Sequence, residues 1–321
     1  MNTLHTLRTL ATKTSADAPH GYSRRQLLAG LIATPVLATF VAACGDPNVE
    51  PAGSDPSVPA NPSTTLPTGP VSIAHSADPE TAIIRIGSEG GFVPVDTYFV
   101  NIPSLVISGD GRAFVPGAVP AIFPGPLIAP MGVRSISEAG IQSLLAQASA
   151  AGLLDTPPDY TADTLVADAP DTVVRFNVAS GSFEHRAYAL GFGVDDTGAP
   201  AEELTDARRT LLGYVLELGD LASTVGAAEL GAEVVFEPAA YRLRATPVTE
   251  AELAGLEPTP TIVDWPSSTG LDLERAGDCA QLDAVAAGRL FTDADQLTHF
   301  RQGDAVYRIA VAGVLPGDPV C

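Results

Sequence analysis

The chain has 321 residues, with 17 Lys+Arg against 38 Asp+Glu and a formal net charge of −21. A surface this acidic repels phosphate backbones and anionic headgroups, which excludes nucleic acid as a partner. Hydrophobic residues make up 45% of the chain, enough to build one large core or two small ones.

Ser23-Arg24-Arg25-Gln26-Leu27-Leu28 sets two adjacent arginines before an apolar run that ends at Ala43. That run contains Gly30 and Pro35 and falls short of the roughly 20 helical residues that span a bilayer. A basic start, a short apolar middle and small residues at the end make a cleaved export signal. Ser23, Arg24, Arg25, Leu27 and Leu28 resemble the twin-arginine export signal, whose substrates usually cross the membrane already folded. Val41-Ala42-Ala43-Cys44 resembles the lipobox of bacterial lipoproteins, with Val41 where Leu is usual. The resemblance implies cleavage before Cys44, acylation of its thiol, and a protein tied by lipid to the outer face of the membrane. Each buried CH₂ of such chains contributes about 0.8 kcal/mol. The alternative is an uncut membrane helix with an incidental cysteine.

Loss of residues 1–43 removes Arg8, Lys13, Arg24 and Arg25 against one acid, Asp17, so the mature chain is more acidic still and has no lysine. Schiff-base and Ser-Lys chemistry are thereby excluded. Residues 44–74 are rich in Pro, Ser, Gly and Asp and read as an extended tether. Two α+β units are expected beyond it, residues 75–222 and a smaller one at 223–321. Two cysteines remain, Cys279 and Cys321. In an oxidising compartment they read as a disulfide, the alternative being free or metal-binding thiols.

Along the first unit, "AIIRIG" (82–87) reads as a strand with Ile84 and Ile86 on one face and Ile83 and Arg85 on the other. Asp110-Gly111 predicts a hairpin between Leu105–Ile107 and Ala113–Val115. A proline-rich loop follows, and then a helix begins near Ser135, which has capping-box spacing to Glu138. Ile136, Ile141, Leu144, Leu145 and Ala148 mark the inward face of that helix and Gly152 stops it. A second hairpin turns at Ser180-Gly181-Ser182, and residues 205–221 form a second helix that buries Leu211, Leu212, Val215 and Leu218. In the second unit "AYRLRATPV" and "TIVDWP" read as strands, Thr249 and Glu252 as a capping box, and "CAQLDAVAAGRL" as a helix. The last element is a hairpin turning at Gln302-Gly303-Asp304. Alternating hairpins and helices predict an α+β fold: antiparallel sheets with helices packed on one face.

The chain has no G-x-S-x-G, H-E-x-x-H, Walker loop or C-x-x-C. His75 reads as solvated at the edge of the tether, while His185 and His299 lie in strands and form a metal pair only if those strands are neighbours. "IGSEGGF" (86–92) reads as a turn with no helix after it, rather than a phosphate loop. Asp195-Asp196-Thr197-Gly198 lacks the spacing of an EF-hand. No catalytic residue, metal ligand or cofactor is assigned.

"IIRIGSEGGFVPV…LVISGDGRAFV…SISEAGIQSLLAQASAAGLLD" resembles a pattern in secreted or lipid-anchored proteins of actinobacteria, a resemblance that brings no activity. Ser88-Glu89-Gly90-Gly91-Phe92 is similar to the Ser-Gly-Gly-Phe motif of emfourin-type inhibitors of thermolysin-like metalloproteases. Here Glu89 is inserted and the following hairpin is long. These features favour a lipid-anchored, non-catalytic binding or envelope module with a protein partner, inhibitor-like or otherwise. The alternative is an extracytoplasmic hydrolase with a carboxylate-based site, which needs a pocket lined by carboxyls of raised pKa.

Overall fold

The structure, a computed structural model, describes residues 72–161, 166–192 and 204–321. The export motif, Cys44, most of the tether and the Asp195–Gly198 turn lie outside the described residues. The elements in chain order are β1 (Ala82–Glu89), α1 (Val95–Val100), β2 (Leu105–Ser108), β3 (Arg112–Pro116), β4 (Met131–Ser135), α2 (Glu138–Ala150), β5 (Asp171–Val178) and β6 (Gly181–Tyr188). They continue with α3 (Asp206–Leu218), α4 (Leu221–Val225), β7 (Val234–Val235), β8 (Ala240–Val248), α5 (Glu250–Ala254), β9 (Thr261–Asp264), β10 (Ala280–Asp283), α6 (Ala284–Ala287), β11 (Thr298–Gln302) and β12 (Ala305–Gly313). Among these residues no helix is long and apolar enough to cross a membrane.

The fold is α+β. A seven-stranded sheet runs β6-β5-β1-β2-β3-β4-β7, and a five-stranded sheet runs β10-β8-β12-β11-β9. All described pairings are antiparallel except β9 with β11, which is parallel. The described residues fall within one compact unit, and the large sheet takes its last strand, β7, from beyond residue 222.

Helices α2, α3 and α4 cover one face of the large sheet. Ile141, Leu144, Leu145 and Ala148 of α2 pack with Leu211, Leu212 and Tyr214 of α3 against Ile84, Ile86, Val174 and Phe176. Helix α2 is capped by Ser137, whose Oγ accepts from the Gly140 N–H at 3.1 Å, and not by Ser135, which is the last residue of β4. Its end is the expected glycine stop: Leu153 N–H reaches the Ala148 carbonyl at 2.8 Å and Gly152 N–H that of Ser149 at 3.0 Å, a Schellman motif. Val215 is only partly buried, and Tyr214 and Arg208 take the inward positions instead.

Three further expectations are corrected. A bulge sets Ala82 opposite Ser108 but Ile84 opposite Ile107, so one extra residue enters β1 and Ile83 joins Ile84 and Ile86 in the same core. Residues 95–100 form a helix, α1. The "CAQLDAVAAGRL" stretch is strand β10 followed by one turn, α6, because Leu282 pairs with Tyr241 on β8 and is buried with the second core. The capping box at Thr249 and Glu252 and all three hairpin turns form as expected.

The second core gathers Tyr241, Trp265, Phe291 and Phe300 in edge-to-face contacts on the small sheet. A third joins the helix-free face of the large sheet, through Val106, Phe114 and Met131, to Leu315 just beyond β12. Gly317 makes this approach close: with φ +76, a Cβ there would stand 2.9 Å from that of Ala82. Cys279 and Cys321 are joined in a disulfide across 42 positions, tying the end of this segment to the start of β10. Closing that loop is worth about 4 kcal/mol in the chain-entropy account. Urea denaturation of Cys279→Ala/Cys321→Ala against the oxidised chain is expected to show a loss of that order; an unchanged midpoint would remove the staple role.

Candidate functional site

The helix-free face of the large sheet carries an unusual charge pattern. Arg85 on β1 lies directly opposite Arg175 on β5 in the antiparallel register. Like charges in that position destabilise a sheet unless something holds them. Arg85 Nη2 donates to Asp318 Oδ1 at 2.7 Å and Nη1 to the Pro316 carbonyl at 3.2 Å. Arg175 donates to both oxygens of Glu89, at 2.5 and 3.1 Å, and through Nε to Glu184 at 2.7 Å. Arg186 closes the network, reaching Glu89 at 2.6 Å and Asp171 at 3.0 Å.

The small sheet adds a fourth cation. Arg242, on β8, turns towards Asp318 with Nε at 3.8 Å, and its guanidinium lies 5.3 Å over the ring of Phe99 on α1. Asp96, also on α1, holds that helix to the small sheet by accepting from Arg244 and Arg308, both at 2.7 Å. From the other side Asn101 donates to the Ser88 carbonyl at 2.5 Å and Tyr98 to the Gly91 carbonyl. Between these walls is a cleft of about 490 Å³, lined by Arg85, Glu89, Tyr98, Arg175 and Arg242 and by Gly317 and Pro319 of the C-terminal segment. That volume suits a small organic molecule.

The electrostatics of the cleft are set by these ion pairs. Hydrogen bonds from Arg175 hold the Glu89 carboxyl down at about 2, against the opposing effect of burial and with further help from Arg186. Every carboxyl displaced from its ordinary value among the described residues (Glu89, Asp110, Asp159, Glu184, Asp220 and Glu252) is lowered. A general acid needs the opposite shift.

The histidines are placed elsewhere. His75 is not solvated: its side chain is 7% exposed, bonded to the Ser76 carbonyl and lying 3.2 Å from Glu138 in the first turn of α2. His185 is fully buried. Its Nε2–H donates to the Leu153 carbonyl at 2.8 Å, so its Nδ1 accepts from the Tyr160 hydroxyl at 2.7 Å. Burial lowers the His185 pKa and raises that of Tyr160. His299 lies in the small sheet with the Leu297 carbonyl, so the two strand histidines do not meet. Among the described residues no group of three or more His, Cys, Asp or Glu is arranged to hold a metal ion. The glycine-rich stretch ends β1 and leads into α1, contrary to expectation, but that helix is only six residues long and lacks a side-chain cap. Sequence reading missed the arginine cleft. Its one signal was arginine between apolar residues in three strands, "IIRI", "VVRF" and "YRLR".

Comparison with known protein families, curated proteins and solved structures finds no match.

The sign of the pH dependence follows from Glu89. Its folded pKa lies below the ordinary 4.5, so its stabilising effect is complete above that value and is lost as pH falls towards about 2. Thermal melts from pH 6 downward are expected to lose stability over this window, and Glu89→Gln to flatten the loss; an identical acid limb in the variant contradicts the pairing.

Proposed function

We propose that this chain is an exported, lipid-anchored binding module of the cell envelope, with Cys44 as its anchor and no catalytic step of its own. The observation that carries the binding reading is the arginine-lined cleft, whose one lining carboxylate is locked in ion pairs. The address rests on the order of Arg24-Arg25, the apolar run and Cys44 in the sequence. The disulfide between Cys279 and Cys321 supports the same compartment. Beside the cleft, the Gly90-Gly91 loop presents Phe92, 85% exposed, with Val95 following it, an apolar tip suited to a protein partner. Among the described residues no carboxyl has the raised pKa that the hydrolase alternative requires.

Intact-mass spectrometry of the native protein, with and without Cys44→Ala, tests the address. A chain starting at Cys44 with acyl groups, both lost in the variant, is expected; a chain beginning near Met1 overturns the anchor.

A further inference from the structure

We infer that the cleft between the two sheets is a specific site for a small organic oxyanion, a carboxylate or phosphate group, with Arg242 as its open cation. This rests on the binding-module reading and names the class of ligand.

Three guanidinium groups line one cleft in a chain whose net charge is −21. Two of them are spoken for. Arg85 is clamped by Asp318 and by the Pro316 carbonyl, and Arg175 by Glu89 and Glu184. Arg242 differs. Its side chain is 15% exposed, its Nε is buried without a hydrogen-bond partner, and none of its guanidinium nitrogens is hydrogen-bonded among the described residues. The nearest carboxylate oxygen, Oδ2 of Asp318, is 3.8 Å from Nε and accepts the Leu315 N–H, while Oδ1 takes the hydrogen bond from Arg85.

A buried guanidinium N–H without an acceptor is costly until one completes it. The planar fork of the group matches the two oxygens of a carboxylate or the edge of a phosphate. The ring of Phe99 beneath it fixes the plane of the group, and the clamped Arg85 and Arg175 stand at fixed positions on the facing sheet. Tyr98, Pro103 and Pro319 supply apolar edges for the body of the ligand. Glu89 and Asp318 offset Arg175 and Arg85, which leaves Arg242 as the lining cation that no hydrogen-bonded carboxylate answers among the described residues.

The test is isothermal titration calorimetry of the disulfide-bonded chain with succinate and with inorganic phosphate, in wild type and in Arg242→Gln. Binding of one probe at one-to-one stoichiometry is expected, and the probe that binds identifies the head group. Arg242→Gln is expected to weaken it about 10- to 100-fold, the loss of one charge-assisted hydrogen-bonded pair. A thermal melt of the variant shows that it is folded at the titration temperature, so that the loss is one of binding. Absence of heat with both probes overturns the site, as does equal affinity in the variant. A chain lipidated at Cys44 that binds neither probe overturns the anion site and leaves the anchored module standing. One that binds succinate but begins near Met1 does the reverse.

Discussion

Asp318 is the residue on which the two sheets depend together. Its side chain is 1% exposed, yet it accepts from Arg85 of the large sheet and lies beside Arg242 of the small one. Its other oxygen accepts the Leu315 N–H at 3.0 Å, while its own N–H returns to the Leu315 carbonyl at 3.0 Å. The buried carboxylate thus shapes the turn that carries it and holds Leu315 in the third core. Removing one member of such a buried pair typically costs about 3–5 kcal/mol, because the other charge is left without compensation. Gly317 N–H to the Glu80 carbonyl and Val314 N–H to that of Ala240 fasten the same segment through the backbone to the turn before β1 and to β8.

The charge distribution makes sense in these terms. In a chain with more than twice as many acids as bases, arginines gather on the helix-free face and around α1: Arg85, Arg175 and Arg186 on one sheet, Arg242, Arg244 and Arg308 on the other. The carboxylates among them act as braces. Glu89, Glu184 and Asp96 each fix one or two guanidinium groups, so a cross-strand pair of like charges becomes a rigid array and not a source of strain. Rigidity of this kind removes the ordering cost that a flexible site meets on binding.

Much of the fold was legible because it is written locally. Asp110-Gly111, Ser180-Gly181 and Gly303 mark turns by backbone chemistry, and α2 and α3 by the spacing of their apolar residues. Where reading failed, a distant partner decided the outcome. Leu282 lies in an alanine-rich stretch with good helix propensity, but pairing with Tyr241 and burial among the aromatics win over it. The bulge that turns Ile83 inward exists only in the pairing of β1 with β2. The cleft was illegible for the same reason. Each arginine alone is an outward residue on a strand, and only the register of β1 with β5 and the approach of β8 bring three together.

The clamp between Arg85 and Asp318 spans 233 positions of sequence. A ribosome adding about 5–20 residues per second therefore delivers the arginine some tens of seconds, at the slow limit, before the carboxylate that neutralises it. Through that interval β1 and β5 have to pair with two facing guanidinium groups, one of which lacks its counterion. The large sheet can collapse early on its helices, but the cleft waits for the last stretch of chain. A chain stopped before Gly317 thus has a core without the wall that Gly317 and Pro319 give the cleft.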